Sequence, residues 1–327
     1  MSRMIYLLQT AGLAFVVAVL IAPAIIKKLR ELKFGQKILE DGPTWHKGKQ
    51  NTPTMGGVIF VIAMTLAVLT TVPTMIAEHD WRPLVMLGLS LVFGFIGMVD
   101  DWTKIKKKQN KGLTAKQKLL LQLAAAALFI TVMRVMGYLE PQLIIPFVDI
   151  TIDLPWIVYL LFAMFVIVGA DNAVNLTDGI DGLCASVTAV VAVFFTAVFT
   201  FADSPARLFS AALLGGLLGF LVFNKYPAKV FMGDTGSLFL GGAVCAMAFA
   251  CNLPLILIPV GIIYIIETLS DIIQVLYFKA THGKRFFKMA PIHHHFEMCG
   301  WSEKKIVAVF SAVTILTCAL SYIGIIL

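Results

Sequence analysis

The chain has 327 residues, of which 59% are hydrophobic and only 14% charged, with a formal net charge of +7. A soluble domain carries roughly 25% charged residues, so an ordinary water-soluble enzyme is excluded. A mean hydropathy of +0.89, with apolar runs from end to end, points to one polytopic membrane domain over residues 1–327 and gives no reason to expect a nucleic-acid partner.

A bilayer core of about 30 Å takes about 20 apolar residues as a helix, fewer where helices break or end inside protein. Ten runs qualify: Ile5 to Ile26, Met55 to Ala77, Pro83 to Val99, Leu119 to Met136, Pro155 to Ala170, Gly182 to Phe201, Leu208 to Phe223, Leu238 to Cys251, Leu253 to Phe278 and Ile306 to Ile326. The first is longer than a signal-peptide core and is followed by Lys27, Lys28 and Arg30 without a cleavage pattern, so it is expected to remain as a helix. Pro141 to Asp153 alternates like a short external hairpin, and Gly215 to Gly219 is a small-residue pattern suited to helix packing. Five cysteines are scattered without the paired spacing of a zinc site or disulfide framework. The expected fold class is all-α and polytopic, with about ten transmembrane helices.

Ten spans put both termini on one side. On that side lie only Arg3, Arg82, Arg134 and Arg207; the rest of the 26 basic residues fall opposite, concentrated in Lys27 to Lys49, Lys104 to Lys118 and Lys279 to Lys305. The positive-inside rule makes the lysine-rich face cytoplasmic and the termini extracytoplasmic. Its positive charge also suits a face that handles an anion.

Five inward loops carry polar signatures that insertion alone does not require. His46 to Gly57 combines lysines, threonines and glycines, a composition compatible with phosphate but not a P-loop. Asp100-Asp101 follows an apolar run directly; adjacent carboxylates repel, so a metal ion or cationic partner is expected nearby. Asp171 to Gly182 holds three aspartates and two asparagines and no basic residue. Asn224 to Ser237 contains Asp-Thr-Gly-Ser once only, where an aspartic-protease dyad would need two carboxylates. The fifth, Ala290 to Glu297, contains His293-His294-His295 and is preceded by Glu267, Asp271 and Gln274, which share one helical face. Abundant carboxylates without thiolate pairs favour a hard ion such as Mg²⁺ over zinc.

Thr52 to Gly57, Asp100-Asp101, Asn172 to Gly182, Phe231 to Ser237 and Pro291 to Glu297 occur together and in this order. With these strings the sequence resembles the bacterial phospho-N-acetylmuramoyl-pentapeptide transferase family over essentially its whole length, the triple-histidine loop ending in Phe296-Glu297 being the feature of the muramoyl branch. The resemblance implies a homodimer in the bacterial plasma membrane with a cytoplasm-facing, Mg²⁺-dependent site. The implied reaction moves phospho-N-acetylmuramoyl-pentapeptide from its UDP-linked donor to undecaprenyl phosphate, releasing UMP.

The resemblance also implies roles. Asp234 is the expected Mg²⁺ ligand with Asp100 and Asp101 beside it, Asp100 is a candidate base for the lipid phosphate, and Asp181 assists at metal or nucleotide. Lys49, Lys116, Lys118, His293 and His294 are the cations or donors set against phosphates. Phe231 is the candidate for stacking on uracil, with Thr54, Asn172, Asn175, Asp178, Gly179, Asn224, Gln274 and Ala290 among the substrate-binding residues. The polyprenyl chain is expected along the polar-striped ninth span. A donor carrying N-acetylglucosamine is the near alternative, and a carboxylate-relay transporter using Glu267 and Asp271 is the distant one.

Overall fold

The computed structural model describes residues 2–32, 52–107, 112–148 and 150–326. Helix α1 (Ser2–Glu31) is followed by α2 (Val58–Leu69) and α3 (Val72–Glu78), then by α4 (Arg82–Lys107) and α5 (Ala115–Val135). A hairpin of β1 (Gln142–Ile145) and β2 (Ile150–Asp153), paired antiparallel with Gln142 opposite Asp153, leads into α6 (Trp156–Thr177). The second half comprises α7 (Leu183–Phe201), α8 (Ala206–Asn224), α9 (Gly233–Ala250), α10 (Leu257–Val260), α11 (Ile262–Ala280), α12 (Ile292–Met298) and α13 (Glu303–Ile326).

Eight of the described helices are long and apolar enough to cross a bilayer, and ten spans result when each of two bent pairs counts as one. The protein is thus an all-α polytopic membrane protein, as its apolar runs predict. The second predicted span bends by 45° between α2 and α3, and the ninth by 80° between α10 and α11, next to Gly261.

Burial sorts the helices into a centre and a periphery. Every residue of α9 from Thr235 to Ala250 is buried, with α4 and α6 as its main partners. Helix α1 lies along α8, where a side chain at Gly215 or Gly219 would overlap the α1 backbone at Ala11 or Phe15. These glycines pack helices, as their spacing suggests. Outward residues such as Leu8 and Leu20 on α1 and Leu316 and Leu320 on α13 are exposed, the arrangement expected where the surrounding solvent is lipid rather than water.

Four polar strings read as loops are instead helical in part, His293 to Glu297 lying within α12. Helix α4 continues through Asp100 and Asp101 to Lys107, α6 runs through Asp171 and Asn172 to Thr177, and α9 begins at Gly233, so Asp234 to Ser237 form its first turn. The physical reason is inward burial: Asp100, Asp101 and Asp171 turn toward other helices, where hydrogen bonds satisfy them without ending the helix. At α5, Thr114 Oγ1 accepts the Gln117 amide at 3.3 Å while Gln117 Oε1 accepts the Thr114 amide at 3.0 Å, a capping box that starts the helix.

Candidate active site

Helices α4 and α9 cross closely because α4 presents Gly97 to the Asp234 carbonyl, where a Cβ would overlap the α9 backbone. This brings Asp100, Asp101 and Asp234 together, with one carboxylate oxygen from each lying within 4.8 Å of the others. The Lys104 ammonium stands among them, 2.6 Å from Asp100 Oδ2, 3.1 Å from Asp234 Oδ2 and 3.8 Å from Asp101 Oδ1. Lys118, the fourth residue of α5, reaches the same Asp234 oxygen at 3.2 Å. Asp100 and Asp101 are buried while Asp234 remains partly accessible, so three acids and two cations meet at one end of the central helix.

The acids differ in what else they do. Asp101 accepts from the backbone amides of Asp234 and Thr235 at 3.2 and 2.9 Å and from the Thr235 hydroxyl at 2.8 Å, which makes it the cap of α9. Asp100 Oδ1 accepts the Leu113 amide at 2.7 Å, tying α4 to the segment before α5. Asp234 Oδ1 takes the Asn175 amide at 3.1 Å, and Asn175 also donates to Ser237 at 2.7 Å.

The first and fourth polar strings pair through their backbones. Phe231 donates to the Pro53 carbonyl at 2.8 Å, and the Gly56 and Gly57 amides donate to the carbonyls of Phe231 and Met232 at 2.8 and 3.0 Å. Those glycines therefore pack against protein rather than forming a phosphate cradle. Gly233, at φ +68°, turns the chain into α9; a Cβ there would crowd Asp101 and the Thr54 hydroxyl. Thr54 and half-buried Phe231 are thereby held beside the acids.

The other expected site residues divide into those near the acids and those that tie loops together. Asp178 is half-buried just beyond α6; burial first, then Asp234, Asp101 and Asp181, push its carboxyl well above the ordinary carboxylate range. Asp181 is buried and accepts the Ala228 amide at 2.8 Å, while its own amide donates to Glu303 at 3.0 Å. Asn224 donates to the Val230 carbonyl at 2.9 Å. Gln274 accepts from Phe286 and Phe287 at 3.0 and 2.9 Å and donates to the Phe287 carbonyl at 3.2 Å. Asn172 donates to Gln122 Oε1 at 3.2 Å, within the bundle.

The three histidines diverge, as consecutive residues must. His293 is buried with Nδ1 at 2.9 Å from Glu267 Oε2, His294 Nδ1 lies 2.6 Å from Glu297, and His295 Nδ1 accepts the Lys288 amide at 3.1 Å. Ala290 precedes them, joined to Pro291 by a cis peptide. Lys116 is exposed on α5. Lys49 lies outside the described residues.

Comparison with known proteins decides the family. Residues 83–252 match the pattern described as Glycosyl transferase family 4, and residues 49–61 match Phospho-N-acetylmuramoyl-pentapeptide-transferase signature 1. The phospho-N-acetylmuramoyl-pentapeptide-transferase of Bacillus cytotoxicus is 46% identical over 98% of each chain. That of Clostridium acetobutylicum is 48% identical over 96% of this chain and 97% of its own, and that of Clostridioides difficile 47% over 98% of each. The chain belongs to the phospho-N-acetylmuramoyl-pentapeptide-transferase family.

For a member of this family, the most informative residue outside the expected set is Lys104. It is i+4 from Asp100 and i+3 from Asp101, so its convergence with them was available once α4 was carried past Val99. Ser237 and Glu303, which hold Asn175 and the Asp181 amide, had no such local signal because their partners are 62 and 122 residues away.

The donor set fits a hard divalent cation, since three carboxylates offer oxygen ligands within one small volume. Asp101 takes three hydrogen bonds from the first turn of α9, whereas Oδ2 of Asp100 and Oδ2 of Asp234 face lysine side chains, which can move aside for a cation without disturbing a helix start. Asp100 and Asp234 are therefore the better ligands, with Asp101 holding Asp234 in place.

Proposed function

We propose that this protein is a Mg²⁺-dependent transferase of the bacterial plasma membrane. It moves phospho-N-acetylmuramoyl-pentapeptide from its UDP-linked donor to undecaprenyl phosphate, releases UMP, works as a homodimer and faces the cytoplasm with its site. The observation that carries the reading is the convergence of Asp100, Asp101 and Asp234 with Lys104 and Lys118 at one end of α9. Lys104, Lys106 and Lys107 at the end of α4 and Lys116 and Lys118 at the start of α5 lie toward the same end, and the positive-inside rule supports a cytoplasmic orientation for it.

The reaction joins two anions. A lipid phosphate oxygen forms a bond to the sugar-proximal phosphorus, and the bond from that phosphorus to the bridging oxygen breaks, so the electron pair leaves on UMP. A phosphate monoester has a second pKa of about 6 and is largely deprotonated at neutral pH. The nucleophile thus asks little of a base, and charge neutralisation with alignment matters most.

Bound Mg²⁺, held by Asp234 and Asp100, would supply Lewis-acid neutralisation of phosphate charge. Lys118 and Lys104 carry ammonium groups that exchange a carboxylate partner for a phosphate oxygen when substrate enters. Asp100 is the candidate base for any residual proton of the lipid phosphate. Asp101 keeps the Asp234 backbone fixed through the α9 cap. Phe231, its backbone held on both sides, offers its ring to uracil. Asn175, Asp178 and Gly179 surround the nucleotide, while Asn224, Gln274 and Asp181 act by fixing the loops around it.

The test is UMP release by the purified protein in liposomes. Release should require both polyprenyl phosphate and the muramoyl-pentapeptide nucleotide, vanish on chelation and return with Mg²⁺. No release under complete conditions would reject the assignment, and preference for UDP-N-acetylglucosamine would move the protein to another donor class. Single cysteines at positions 116 and 229 should react with an impermeant reagent only from the cytoplasmic side.

A further inference from the structure

Glu267 is the most fully enclosed acid of α11, with no exposed surface, and it faces a histidine that is equally enclosed. Its Oε2 lies 2.9 Å from His293 Nδ1 and 3.4 Å from the His293 backbone amide, so one carboxylate oxygen holds both the ring and the start of α12. When this oxygen accepts from both the amide and the ring, the ring proton lies on Nδ1. Glu267 Oε1 and His293 Nε2 are both buried without a hydrogen-bond partner. A buried carboxylate oxygen without a partner is costly inside a membrane protein, and an acid retained there is a candidate for function.

The unpartnered nitrogen has a direction. His293 Nε2 lies against Gly179, where any Cβ would overlap the imidazole. Gly179 is exposed and lies four residues after Asn175, which donates to Asp234 Oδ1 at 3.1 Å. The other groups around the pair are committed elsewhere or are further acids: His294, its ring centroid 4.1 Å from that of His293, bonds Glu297, and Asp271 stands one turn along α11.

We infer that Glu267 is a positioning residue, fixing the His293 ring through Nδ1 so that Nε2 is presented beneath Gly179 to a phosphoryl oxygen of the nucleotide donor. This rests on the transferase reading above and deepens it. To donate from Nε2 while Nδ1–H stays on Glu267, the ring carries both protons, and the carboxylate supplies the compensating charge. The arrangement is the one by which an outer carboxylate fixes the tautomer and orientation of an imidazole that acts on a ligand.

The experiment uses the full-length protein in detergent micelles. In wild type, ¹⁵N spectra of labelled histidine, assigned with His293→Asn, should show His293 protonated at Nδ1, and addition of the UDP-linked donor should shift its Nε2 resonance. A ring protonated at Nε2 alone, or an Nε2 resonance that donor leaves unmoved, would overturn the inference without reference to turnover. In the UMP-release assay, Glu267→Gln should lose about ten- to a hundredfold in kcat/KM, mostly in kcat, with Glu267→Asp recovering part of it. Equal KM and kcat for wild type and Glu267→Gln would also overturn it. Should wild type release no UMP while the ring signature holds, the transferase reading fails and the tautomer assignment stands.

Discussion

Two polar groupings lie one helical turn apart on α6 and teach different things. At the end of the helix, Asn175 touches Asp234, an acid shared with two lysines and within reach of two further acids. One turn deeper, Asp171 is fully buried, takes the Gln122 amide at 2.6 Å, and leaves Oδ1 without a partner against Gly241. Both groupings join α6 to α5 and α9. Only the first combines cations with an accessible acid, and phosphoryl transfer needs both; the second is a polar clasp between helices.

The sharpest way to break this contrast is Asp234→Asn. The change is nearly isosteric, keeps an oxygen for Asn175, and removes the charge that two ammonium groups share. UMP release should fall about a thousandfold or more, with detergent thermal unfolding close to wild type. Asp100→Asn should lose a similar amount. Activity within tenfold of wild type for either would shift the chemistry away from this cluster.

Asp101→Asn should separate a ligand from a cap. Asp101 receives three hydrogen bonds from the first turn of α9, and weakening an N-terminal cap costs about 1–2 kcal/mol. Its thermal midpoint should therefore fall while that of Asp100→Asn does not, and its activity loss should be the smaller, about ten- to a hundredfold. An unchanged midpoint with complete loss of turnover would make Asp101 a ligand in its own right.

The membrane architecture was legible because lipid demands long apolar runs and closes the menu to helices and barrels; the ten expected runs all correspond to helices or bent pairs. Helix ends were less legible. Asp100, Asp171 and Asp234 look like loop residues in a linear reading because hydropathy does not reveal that each has a partner inside the bundle. The acids of the site were visible as strings, whereas their division of labour was not. The cap made by Asp101 spans 133 residues to the Asp234 amide, and the Pro53–Phe231 pairing joins segments far apart in the chain.

Asp171→Asn tests the deeper grouping. Asparagine can still accept from Gln122 and places an amide where Oδ1 now has no partner, so turnover should stay within about fivefold of wild type. A loss approaching that of Asp234→Asn would extend the reactive network a turn into the bilayer.

The smallest effect belongs to a residue chosen from the sequence for its charge. Lys116 and Lys118 are two positions apart on α5, which turns their side chains about 200° from each other. Lys118 reaches Asp234, while Lys116 is exposed. Lys118→Met should cost about a hundredfold in kcat/KM, because a charge-assisted contact to phosphate loses its donor in a half-buried setting. Lys116→Met should change it by no more than about twofold at physiological salt, where an exposed charge is largely screened. If the two variants fell together, the lysines would be acting as a diffuse positive field over the mouth of the site. A strong ionic-strength dependence of the donor KM in wild type would then accompany that result, and its absence would return the explanation to the single ammonium at Asp234.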